Sequence, residues 1–125
     1  MVSRDILVRP VDATQVSVEH ILIGWKDLAP GYRGGIDPRA MARDLEAARA
    51  LTRQIVAHAR AGEPFEQLMR TYSEDQGTAK SGGAYDVRAD GMYAPEFQAL
   101  ALRLHVGEVG VCKTTYGFHV MKRLR

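Results

Sequence analysis

Apolar and polar residues alternate from Val16 to Ile23. Val16, Val18, His20 and Leu22 fall on one face, and Ser17, Glu19, Ile21 and Ile23 on the other. That period of two predicts a β-strand, with His20 among three apolar residues. Gly24 to Ile36 carries several glycines and Pro30 and reads as a loop. The period then changes. Met41, Leu45, Ala48, Leu51, Ile55 and Ala59 recur at steps of three and four, which predicts one long helix. Asp37 can cap it and Pro38 suits its first turn. Gly62 suits a left-handed helix end. Phe65, Leu68, Met69 and Tyr72 predict a second helix after Pro64, and Phe97, Leu100, Ala101 and Leu104 a third after Pro95. Between them, Ser73 to Gly83 is too polar and glycine-rich for more than a helical turn near Gln76–Lys80, and Ala84–Val87 suits a brief strand. Val109–Thr114 and Gly117–Leu124 read as two strands of a tight hairpin. Residues 1–15, with Ile6-Leu7-Val8 and then Pro10, are expected to be an extension or linker holding at most an edge strand. The order βαααβαββ predicts an α+β domain over residues 16–125 with a small, mostly antiparallel sheet.

Composition narrows the function classes. The 125 residues are 46% hydrophobic, enough to build a core without metal or disulfide. Seventeen Lys and Arg against fifteen Asp and Glu leave a net charge of +2. The two signs are interspersed, so no basic stripe points to a nucleic-acid partner. Cys112, the one cysteine, cannot form an internal disulfide and lies in an apolar, strand-like run, the setting of an inert buried thiol. No segment approaches the ~18 apolar residues of a membrane span. Residues 1–15 lack the apolar run of about 7–15 residues that marks a secretory signal. As it stands the chain is expected to be cytoplasmic, unless it is a domain excised from a longer exported protein.

Three pieces carry the chemistry: VEHILI at Val18–Ile23, YSEDQGTAKSGG at Tyr72–Gly83, and TTYGFHVMK at Thr114–Lys122. Each is weak alone. In this order and at these separations they resemble the parvulins, peptidyl-prolyl cis-trans isomerases. The resemblance runs from about Val16 to Arg125 and takes in AGEPFEQLMRTYSED and GMYAPEFQALALRL. It implies the parvulin (FKBP-like) fold, a four-stranded antiparallel sheet flanked by about four helices. It places His20 and His119 at the two active-site histidines and Asp75 where some parvulins carry cysteine. Thr114 matches the hydroxyl of the same cluster. Met92, Phe97 and Leu102 match walls of the proline pocket. Tyr85 departs from the family: parvulins usually read GGDLG where this chain has Gly82-Gly83-Ala84-Tyr85-Asp86. The approach to the closing hairpin, Gly107–Thr114, is also one residue shorter.

The implied function is acceleration of rotation about X–Pro bonds in peptides or unfolded protein segments by a monomeric domain. Rotation breaks no σ bond and calls for no cofactor. The barrier is about 18–20 kcal/mol, so holding the ring in an apolar pocket and arranging dipoles around the amide is the task. Two histidines and a carboxylate could instead hold a divalent metal, but no second carboxylate or local His pair supports that. A peptide-binding or chaperone module with little isomerase activity is the alternative reading. Lys26, Arg33, Arg39 and Arg43 raise the question of phosphate before proline. Interleaved Asp27, Asp37 and Asp44 reduce the expectation to a mild preference for acidic residues.

Overall fold

A computed structural model describes all 125 residues. Four strands form one antiparallel sheet: β1 (Gln15–Ile23), β2 (Tyr85–Arg88), β3 (Val109–Thr114) and β4 (Gly117–Arg123). Their order is β2-β1-β4-β3, so the first and last strands are the central neighbours. Five helices complete the molecule: α1 (Arg4–Leu7), α2 (Pro38–Met41), α3 (Leu45–Arg60), α4 (Phe65–Tyr72) and α5 (Pro95–Ala101). A 3-10 segment, Lys26–Gly31, follows β1. No helix is long and apolar enough to cross a membrane.

The alternation in β1 feeds two cores, one on each face of the sheet. Ile21 and Ile23 pack with Ile55, Phe65, Leu68 and Met69 of α3 and α4. Val16 and Val18 pack with Phe97, Leu100 and Met121 beneath α5. His20 shares that second face, and the register sets His20 opposite Met121 and Leu22 opposite His119. A two-residue period on adjacent strands therefore brings both imidazoles to one side.

Two elements differ from the sequence pattern. The long helix is broken after Met41. Asp44, in an extended conformation, accepts from the Ala47 N–H and starts α3 afresh. The Lys26 N–H donates to the Arg43 carbonyl, and the Arg43 side chain reaches inward, so the break ties the preceding loop to the helix. Met41, expected on the apolar stripe, is 52% exposed. Near the start of the chain, the edge strand expected at Ile6-Leu7-Val8 is instead the short helix α1. Ile6 is buried in the second core. Ser3 meets the outer edge of β3 twice. Its N–H donates to the Val111 carbonyl and its hydroxyl accepts from the Val111 N–H. The helical turn expected near Gln76–Lys80 is a run of turns in which the Thr78 and Ala79 N–H groups donate to the Asp75 carbonyl.

Candidate active site

The loop after α4 carries Asp75 and is fastened to the end of β1. The Ser73 hydroxyl accepts from the N–H groups of Leu22 and Asp75, and the Glu74 N–H donates to the Leu22 carbonyl. The buried Glu74 carboxylate accepts from the Gly24 N–H and pairs with Arg43, which also donates to the Gly24 carbonyl. Arg39 donates to the Thr71 and Ser73 carbonyls and pairs with Asp37. Two of the four basic residues considered for phosphate are thus spent on holding this loop.

So fixed, the loop presents Asp75 to β1. Its Oδ2 lies 2.7 Å from His20 Nε2, 2.7 Å from the Tyr85 hydroxyl and 3.0 Å from that of Thr78. The Nδ1 atoms of His20 and His119 are 3.1 Å apart. His119 Nε2 is 2.7 Å from the Thr114 hydroxyl, which accepts from the Tyr116 N–H. The four polar residues expected from sequence therefore form one continuous chain.

Proton positions along that chain follow from its acidic end. The hydrogen bond from His20, then those from Tyr85 and Thr78, hold the Asp75 carboxyl far below the usual carboxylate range against the opposing effect of burial. An ionised carboxylate only accepts, so His20 Nε2 carries a proton. With His20 neutral, its Nδ1 accepts from His119 Nδ1–H, and His119 Nε2 then accepts from Thr114. If His20 is protonated, its Nδ1 donates and His119 reverses its tautomer, donating from Nε2 to Thr114. His119 is neutral in both arrangements. Burial first, then the neighbouring His20, pushes it down to about 3. All four ring nitrogens are engaged within the cluster, leaving no lone pairs converging on a metal.

The cluster forms the middle of a groove of about 400 Å³. Phe97 touches both histidines edge-on, with ring centroids 5.4 and 5.3 Å away, and stacks on Tyr93 at 5.4 Å. Tyr85, Tyr93, Ala94 and Phe97 make an apolar end. Two expected walls lie elsewhere. Met92 is 78% exposed, and Leu102 is buried in the second core outside the groove. Tyr93 occupies the wall in place of Met92, one residue along an irregular segment where no periodicity marks which side chain turns inward. Tyr32 and Tyr116 close the other end, with the Tyr32 hydroxyl donating to the Tyr116 carbonyl. They were missed in the sequence because one sits in a loop and one in a turn. Cys112 is buried outside the groove, and burial pushes its thiol up to about 12. His58 and His105 stand at the surface near Glu63 and Glu108.

Comparison with known proteins points to one family. The family described as the PPIC-type PPIase domain matches residues 4–124. The foldase protein PrsA of Geobacillus kaustophilus is 33% identical over 111 residues, covering 87% of this chain and 39% of that protein. The chaperone SurA of Hahella chejuensis is 31% identical over 109 residues, covering 86% and 22%. This chain thus spans well under half the length of either. Among solved structures, the peptidyl-prolyl isomerase ESS1 of Candida albicans superposes with a TM-score of 0.73 at 23% identity, covering all of this chain and 66% of that one.

Proposed function

This chain belongs to the PPIC-type peptidyl-prolyl isomerase family, and from that premise we propose that it accelerates cis-trans exchange of X–Pro bonds in peptides and unfolded protein segments, using the groove over the two histidines and no cofactor. The observation that carries this reading is the unbroken chain from Asp75 through His20 and His119 to Thr114, set beside an aromatic pocket.

Phe97, Tyr85 and Tyr93 offer apolar surface to a proline ring. With the ring held there, the prolyl amide lies over the histidines. A planar amide is the more polar form, since resonance places charge on its oxygen and nitrogen. The twisted amide has lost that resonance, so a partly dry wall of aromatic carbon disfavours the ground state more than the transition state. Fixed dipoles act in the same sense without having to reorganise. The polar cluster contributes no nucleophile: the carboxylate already accepts three side-chain donors and Cys112 lies outside the groove. Its proposed role is to hold both rings in one orientation and to set the local field. Asp75 Oδ1 accepts only from the Gly77 N–H at 3.1 Å and keeps a lone pair for a substrate N–H.

The test is NMR exchange of a proline peptide with the purified 125-residue chain. Accelerated exchange without added metal or nucleotide is expected. Phe97→Ala should reduce it at least tenfold, through lost packing on the ring. Wild-type exchange rates in a folded Phe97→Ala protein would remove the pocket from the proposal.

A further inference from the structure

The groove continues past the histidines, and what lies there has a different chemistry from the proline end. Tyr93 and Phe97 come first, then His20 and His119 edge-on to Phe97. Thr114 follows, bonded to His119, and then Tyr116, whose N–H donates to Thr114. Tyr32 stands at the end, its ring 5.7 Å from that of Tyr116 and nearly perpendicular to it. Covalent geometry sets what a bound peptide places along this path. The prolyl nitrogen belongs to the ring, and the amide joins it to the carbonyl of the preceding residue. A ring on Phe97 with its amide over the histidines therefore carries the preceding residue toward Thr114 and Tyr116.

We infer that the Tyr32–Tyr116 wall is the subsite for the side chain before proline, and that it selects an aromatic side chain and turns away an anionic one. The inference rests on the isomerase reading of the groove. Two rings set edge to face leave aromatic surface for a third, the arrangement that such rings prefer. The hydroxyl bond from Tyr32 to the Tyr116 carbonyl holds the loop after β1 against the β3–β4 turn, so the wall exists before a peptide arrives. The only carboxylates lining the groove are Glu74 and Asp75, and neither lysine nor arginine lines it. Arg43 is turned into the fold, and Arg39, though exposed, is paired with Asp37 and bonded to the Thr71 and Ser73 carbonyls. The Tyr32 hydroxyl is pushed up to about 12, by burial first and then by the neighbouring acidic groups of Glu74, Tyr116 and Asp75, so it stays protonated as the donor to the Tyr116 carbonyl. A phosphate or carboxylate before proline would meet two carboxylates and no basic side chain on the groove wall. This reverses the mild acidic preference expected from the basic residues of the loop.

Four peptides differing only at the residue before proline, with Phe, Ala, Glu or phosphoserine there, test the inference. Exchange is measured by NMR, and binding separately from amide shift changes of the protein. The expected order is Phe, then Ala, then Glu, then phosphoserine, with about tenfold between Phe and Glu in kcat/KM. Tyr32→Ala and Tyr116→Ala should each shrink the advantage of Phe over Ala. Tyr116 is half exposed, so its variant is expected to fold. Glu or phosphoserine matching Phe, or an advantage unchanged in both variants, overturns the subsite. Equal acceleration of all four peptides overturns the subsite and leaves the isomerase. The expected binding order without any acceleration leaves the subsite and overturns the isomerase. Neither binding nor exchange overturns both.

Discussion

A larger ring carrying a hydroxyl distinguishes Tyr85 from the apolar residue usual at its position in the family, and the structure gives that hydroxyl a task. It is one of three side-chain donors on Asp75 Oδ2. Burial and the hydrogen bond to Asp75 push the Tyr85 hydroxyl up to about 12, so it stays a donor. Tyr85→Phe keeps the ring and deletes the donor. The expected cost is about 1.5–3 kcal/mol, the usual size for a bond to a charged acceptor, with isomerisation reduced by only a few fold. Urea denaturation measures the first and NMR exchange the second. Unchanged stability would mean the bond is not made in solution. Which residues were legible followed from their neighbours. His20, Asp75, Thr114 and His119 stood in ordered motifs and meet as the order implied. Leu102 resembled a pocket wall but faces the second core, because its place at the end of α5 turns it toward the sheet. Tyr93 and Tyr32 had no strand or helix period to orient them.

The strands were the readable elements. Alternation gave β1, and the turn residues around Gly117 gave the hairpin. Gly117 does more than turn the chain. Its φ is +141°, and a Cβ built there would sit 2.4 Å from the Ile23 carbonyl oxygen. Backbone, not a movable side chain, blocks the space. Gly117→Ala should therefore cost about 2 kcal/mol or more, through the strained dihedral together with displacement of β1 from β4. Thermal melting would check it. A shift under about 1 kcal/mol would show that the hairpin rearranges cheaply. The helices were legible by face but not by boundary. The apolar stripe from Met41 to Ala59 is continuous on paper. The break appears only because Asp44 can cap and Arg43 has a buried partner in Glu74, thirty-one positions away in sequence. No local pattern announces a contact at that range. α1 was hidden for a related reason. Four residues are too few to show a helical period, and the segment is held by docking rather than by propensity.

At the scale of the molecule, two buried groups pull stability in opposite directions with pH. His119 is held at about 3 against 6.5 in the unfolded chain, so its contribution is whole above about 6.5 and drains as pH falls toward 3. Glu19 on β1 is pushed up to about 7 from 4.5, by burial first and Glu66 next. Its contribution is whole below about 4.5 and drains as pH rises toward 7. The two slopes cancel between roughly pH 4.5 and 6.5. Asp75 and Glu108, both held low, add their losses only at more acid pH. A flat unfolding midpoint is expected across that window, turning into a rise with pH in Glu19→Gln, which stays neutral. Parallel profiles for the two proteins would contradict the assignment to Glu19. The Ser3 contact on β3 matters at this scale as well. A bare outer strand templates the addition of other strands, and unfolded chains, the proposed clients, supply them. Ser3 occupies both backbone groups of Val111, and the Arg60 side chain donates to the Val109 carbonyl beside it. The edge is thus closed to recruitment over two of its outward-facing positions. A client denied these backbone groups cannot zip along β3 there. On the proposed reading it is held at the groove by its proline and leaves once that proline has turned, instead of remaining paired along this border.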